Sequence, residues 1–153
     1  MDQSPGNGVL TTQRALRYGP VLFWIGLIWL ASTQGFSAGN TSRIIRPLLL
    51  WLFPDIAEPQ IATVHLVTRK AAHFIEYAIL AFLSRRAFVT SSRNFLRKHW
   101  FALSLLLVAL VAAIDELHQS LVPSRTGSIY DSAIDLAGGF VMLLVCRLYQ
   151  RRQ

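Results

Sequence analysis

Four stretches of this chain are apolar enough to form embedded helices, and polar residues separate each from the next. They run from about 20 to 36, 62 to 84, 100 to 119 and 129 to 149. The last two are the plainest: Phe101 to Ile114 and Phe140 to Cys146 are nearly unbroken apolar runs. The short polar loop between them, rich in Pro, Ser and Gly, makes the pair a helical hairpin. The second stretch is unlike the others. Only fourteen residues lie between Lys70 and Arg85, and His73 and Glu76 are among them. At ~1.5 Å per residue, a helix crossing ~30 Å of hydrocarbon has to start near Ala62 or Val64. That start takes Arg69, Lys70, His73 and Glu76 into or to the edge of the bilayer. Lys70, His73, Glu76 or Tyr77, and Leu80 recur at helical spacing and share a face. Ionisable groups at that depth are costly, so the face has to look into the bundle.

The remaining segments are shorter. Residues 1–13 are polar, with Pro5, Gly6 and Gly8, and read as a disordered tail. Arg14 and Arg17 then precede an apolar run. No Ala-x-Ala cleavage site follows, since Ala31 leads into Ser32 and Thr33, so the run reads as an uncleaved first span. Gly35, Gly39 and Asn40 are expected to break that helix. Ser42 to Phe53 is an apolar block bounded by Pro54, with Pro47 inside it, where a helix would start or kink. It is too short to span, and reads as a helix in the interface or dipping into the outer leaflet; a packed loop is the alternative. The expected fold is an all-α membrane protein. It has four transmembrane helices plus one short interfacial or re-entrant helix between the first two, in a single domain over residues 14–153.

Composition supports the membrane class. The chain has 153 residues, of which 53% are hydrophobic, and its mean hydropathy is +0.42. The net charge of +7 would suggest nucleic acid in a soluble protein. Here no aromatic-interleaved basic surface or nucleic-acid motif accompanies it, so nucleic acid is set aside. The positive-inside rule explains the charge instead. With both termini inside, the inner segments hold ten basic residues: Arg14, Arg17, Arg85, Arg86, Arg93, Arg97, Lys98, Arg147, Arg151 and Arg152. The outer half holds five, Arg43, Arg46, Arg69, Lys70 and Arg125, and of the acids only Asp2 is inside. The expected location is a cytoplasmic membrane of the bacterial type. Cys146 is the only cysteine, which excludes an intrachain disulfide and a zinc knuckle.

This topology brings the chemistry to one level below the outer surface. Lys70 and His73 lie on the outer part of the second helix. Asp115, Glu116 and Gln119 end the third, Asp131 and Asp135 begin the fourth, and Arg125 lies between those two. The stretch Asp115–Gly139 alone holds four of the eight acids. Asp115 and Gln119 are four apart, as are Asp131 and Asp135, so each pair shares a face. Ser128 with Asp131 matches a helix N-cap signature, and Ala133, Ala137, Gly138 and Gly139 allow close helix approach. A structural reading pairs Lys70 with Asp115 and Arg125 with Asp131 to hold the helices in register. The functional reading notes that apolar contacts would serve packing as well as buried ion pairs do.

Three chemistries fit. General acid–base work would use His73 with Glu76 or Asp115. A divalent metal would sit among the carboxylates with His73 as an extra ligand, although no zinc-type spacing is present and no cofactor is specified. Headgroup recognition would use Lys70 and Arg125. His65 and His118 read as interfacial side chains, Asp55 and Glu58 as solvated loop charges, and Ser120, Ser124 and Ser128 as turn and cap residues.

KAAHFIEYAIL at Lys70–Leu80 and DELHQSLVPSRTGSIYDSAIDLAGG at Asp115–Gly139 resemble the VanZ-like family of small integral membrane proteins, over roughly residues 20–147. The family pattern falls on Lys70, His73, Tyr77, Asp115, Glu116, Gln119, Arg125, Asp131 and Gly138. Asp135 departs from it, standing where many members have Asn. The family is named for a protein that lowers susceptibility to teicoplanin, a lipid-bearing glycopeptide. With the resemblance, the residues give two sets of candidates: catalytic His73, Asp115, Glu116 and Asp131; and binding Lys70, Tyr77, Gln119, Arg125 and Asp135. The expected function is an outward-facing pocket that binds, and on one reading modifies, a lipid or amphiphile of the cell envelope. The competing class is a non-enzymatic scaffold or accessory subunit, either self-associating or bound to a membrane partner protein. A proton-coupled transporter would need to oligomerise, because one chain has too few helices.

Overall fold

The computed structural model describes residues 5–33, 38–120 and 129–152. Among these residues the chain forms six helices and no strand. They are α1 (Pro5–Ala31), α2 (Ala38–Leu52), α3 (Glu58–Val89), α4 (Asn94–Lys98), α5 (Trp100–Ser120) and α6 (Ile129–Gln150). Helix α3 is central, packing most extensively on α6, then on α5 and α1, and lightly on α2.

Several boundaries differ from the sequence reading. The helix α1 begins at Pro5, inside the expected tail. Proline at the first helical position lacks only an N–H that would have no partner there. The helix α2 starts nine residues before Pro47 and runs through it. Gly39 and Asn40 fall in its first turn, where intrahelical bonds are not yet made, so neither breaks it. The helix α3 reaches further at both ends than 62–84. Pro59 fits its first turn, and the Gln60 side chain accepts a 3.1 Å hydrogen bond from the Ala57 N–H. Gly35, Pro123, Ser124, Arg125 and Ser128 lie outside the described residues.

Contacts fix the helix directions. Tyr18 and Trp24 of α1 meet Ser91 and the Glu76 carbonyl respectively, so α1 and α3 run oppositely. Ser32, just past α1, meets Gln119 near the end of α5, so those two run alike. Lys70 meets Asp131 and Phe74 abuts Gly138, so α3 and α6 run alike. The long helices α1, α3, α5 and α6 therefore alternate in direction. Arg85 and Arg147 lie over the Trp100 and Phe101 rings at the basic end of this bundle.

An apolar core carries buried polar residues, and the exterior is apolar as well, unlike that of a water-soluble bundle. Ser104, Val108, Ala112, Asp115 and Gln119 form the buried stripe of α5, while Leu106, Leu110, Ile114 and Leu117 are each more than half exposed. Ser84, Asp115, Gln119 and Asp135 are buried, while Leu22, Phe23 and Leu30 face out. An apolar exterior this continuous is costly in water and cheap in lipid. By length and composition, α5 and the Tyr130–Gln150 part of α6 qualify as membrane spans. The four spans expected from sequence reduce to two on this criterion. Arg69, Lys70 and Glu76 sit in the middle of α3, and Arg14, Arg17, Gly19 and Pro20 dilute α1.

Candidate functional site

The site is assembled by the register of α3 against α6. The two helices approach closely at Gly138, where a β-carbon would run into the Phe74 carbonyl oxygen. Next to it, a β-carbon on Gly139 would lie 2.7 Å from Val108 Cγ1 of α5. The two glycines thus seat α6 against both neighbours. One turn before Gly138, Asp135 falls opposite His73; two turns before, Asp131 falls opposite Lys70.

The polar layer is graded in depth. At its mouth, Lys70 Nζ donates to Asp131 Oδ1 at 3.0 Å, and Arg69 lies 3.6 Å from Asp131 Oδ2. The Lys70, Arg69 and Asp131 side chains are 36%, 34% and 19% exposed. Deeper, His73 Nδ1 is 3.3 Å from Asp135 Oδ1, and the two side chains are 14% and 2% exposed. That distance is within ion-pair range, but the atoms are not aligned as a hydrogen bond. Asp115 completes the group: His73, Asp115 and Asp135 each offer an atom within 4.8 Å of the others. Gln119 orients Asp115, its Nε2 donating to Oδ2 at 2.8 Å and reaching Ser32 Oγ at 3.4 Å. Tyr77 is fully buried beside these carboxylates, and its hydroxyl has no hydrogen-bond partner among the described residues.

Seven of the candidates therefore converge: Lys70, His73, Tyr77, Asp115, Gln119, Asp131 and Asp135. Some pairings differ from those expected. Lys70 pairs with Asp131 rather than Asp115, because the α3–α6 register puts Asp131 level with it. Of the two partners expected for His73, Asp115 lies within reach and Glu76 borders a cleft with Trp24, Ile28 and Leu30 of α1, while His73 also faces Asp135. Glu116 is half-buried and stands outside the deep group, about 100° around α5 from Asp115. His118 stacks on Trp29 at 5.2 Å. Sequence reasoning passed over Arg69 as a site residue, although its position beside Lys70 on a lipid-depth helix was a usable signal. Ser32 carried no signal, since nothing local points it at Gln119.

The layer is tight. Arg69, Lys70, His73, Asp131 and Ile134 enclose a cavity of ≈ 10 Å³, about enough for one water. A wider cleft of ≈ 700 Å³ opens at the α2–α3 junction, between Leu52, Phe53, Ile56 and Val64.

The family model described as VanZ/LLP1 matches residues 18–150, which covers all of α2 to α6 together with the whole polar layer. No curated protein and no solved structure matches the chain.

Proposed function

The chain belongs to the VanZ/LLP1 family, and on that premise we propose that this membrane protein binds the anionic headgroup of an envelope lipid or other amphiphile at Arg69 and Lys70. One observation carries the reading. Two cations share the single carboxylate of Asp131 at a mouth where all three are partly exposed. At this mouth the cations outnumber the carboxylate they share, and a phosphate or carboxylate headgroup complements them. In this reading α1, α3, α5 and α6 all cross the membrane, with both termini inside. The basic ends of α3 and α6 then face the cytoplasm, and the polar layer faces outward. The alternating helix directions support that arrangement. The cleft at the α2–α3 junction, on the same end, offers room for an apolar chain. His73 against Asp135 supplies a proton-transfer pair beneath the headgroup, should the amphiphile be modified. A lipid-bearing glycopeptide works on the same outer face, which is the proposed link to glycopeptide susceptibility.

The tightness of the layer favours a second reading, a scaffold whose ion pairs only lock α3 to α6. Lipid retention separates the two. Protein purified with an equimolar mixture of phosphatidylglycerol and phosphatidylcholine is examined by native mass spectrometry. The headgroup reading expects preferential retention of the anionic lipid. It also expects Arg69→Gln with Lys70→Gln to weaken that preference about thirtyfold, from about 1 kcal/mol per cation. Equal retention of both lipids, or a preference untouched by the double substitution, supports the scaffold.

A further inference from the structure

We propose that His73, Asp115 and Asp135 bind a divalent transition-metal ion. The inference does not rest on the headgroup reading, because the donors lie deeper than the Arg69–Lys70 mouth. The three residues come from three helices, α3, α5 and α6, yet their ligand atoms gather within 4.8 Å of one another. Side chains so far apart in sequence meet at one point only because the register at Gly138 brings them there.

Charge gives the first reason. Asp115 and Asp135 are 6% and 1% exposed, so two carboxylates share one desolvated space. The cations next to them, Arg69 and Lys70, are engaged by Asp131. The imidazole of His73 offsets one negative charge at most. A dication balances both carboxylates and leaves His73 neutral, as a nitrogen ligand has to be.

An unused hydroxyl gives the second, independent reason. The Tyr77 hydroxyl is fully buried beside Asp115 and Asp135 and has no hydrogen-bond partner among the described residues. Asp135 Oδ1 faces His73 Nδ1 at 3.3 Å without an aligned hydrogen bond. Buried polar atoms are ordinarily satisfied, so a fully buried hydroxyl left without a partner beside two carboxylates indicates a ligand among them. Gln119 meanwhile donates to Asp115 Oδ2 and holds that carboxylate still, the service an outer-shell partner gives a metal ligand. The donor set decides the class of ion. One imidazole nitrogen with carboxylate oxygens and no thiolate suits Zn²⁺ or Mn²⁺, and argues against Cu⁺.

The test uses the full chain, purified in detergent and stripped with a chelator. Zn²⁺ or Mn²⁺ is added, and the bound metal per chain and the thermal unfolding midpoint are measured. One of the two ions is expected to bind at about one per chain and to raise the midpoint in a concentration-dependent way. Asp135→Asn, which removes a buried charge and keeps the side-chain shape, is expected to lose both effects. Glu116→Gln, outside the donor set, is expected to keep them. If neither ion binds the unsubstituted protein, the proposal fails, whatever the variants do. It also fails if Asp135→Asn binds as well as the unsubstituted chain, since the ion would then sit elsewhere.

Discussion

Replacing Gly138 with leucine is expected to remove folded protein from the membrane. At this position even the first added carbon meets the Phe74 carbonyl oxygen, and the Phe74 carbonyl carbon and Cα lie at 3.0 and 3.1 Å. Backbone in the middle of a long helix has nowhere to move. The helices must separate, and with them go the Lys70–Asp131 and His73–Asp135 contacts. Overpacking of an ordinary core costs about 1–3 kcal/mol. Separation also strands partly buried charges, so the loss here should exceed that range. Gly139 provides the comparison. Its added carbon would meet Val108 Cγ1 at 2.7 Å, a side chain rather than backbone. Gly139→Ala should therefore be recovered at a reduced but measurable level. Size-exclusion chromatography of a fluorescent fusion from solubilised membranes reads both. A monodisperse Gly138→Leu protein at normal level would mean that the α3–α6 contact is looser than described.

His73→Leu should be the most damaging single change within the polar layer. It leaves Asp135, 2% exposed, with no group to offset its charge, and Asp115 lies in the same space. Breaking a buried pair from one side costs about 3–5 kcal/mol, whereas replacing both members with apolar residues is often close to neutral. The second substitution is therefore the informative one. Adding Asp135→Leu to His73→Leu should restore most of the lost stability, although the double variant is itself chemically inert. Chelator-treated samples keep any bound ion from contributing. Unfolding midpoints of the two single variants and the double variant make the cycle. If the two losses simply add, His73 and Asp135 are not coupled, and the pairing has no energetic content.

Much of this layer could be read from the chain. The repeat of Lys70, His73, Tyr77 and Leu80 marks the face of α3 that is buried, because a charged stripe on a lipid-depth helix has one tolerable direction. The small residues at Gly138 and Gly139 mark a close approach. What they do not specify is the atom approached. The choice of Phe74 as the contact sets the register, and the register sets that His73 meets Asp135 and Lys70 meets Asp131. A shift of one turn would have exchanged those partners with no change in either helix's pattern. Helix ends were harder for a related reason. Pro5 reads as tail and Pro47 as a helix start or kink, whereas a first turn accommodates the one and a helix with a missing hydrogen bond the other. Arg69 was legible in kind but not in role, since only the fold shows that it shares Asp131 with Lys70.

Binding of an outer-leaflet headgroup depends on which side of the membrane the polar layer faces, and thiol labelling reads this directly. The background is Cys146→Ala, which leaves no native cysteine. Ser120→Cys places an exposed thiol at the layer end of α5, and Ser92→Cys places one at the basic end, after α3. A membrane-impermeant maleimide applied to intact cells should label Ser120→Cys and should reach Ser92→Cys only after permeabilisation. The opposite pattern, with Ser92→Cys labelled from outside and Ser120→Cys protected, would contradict the account.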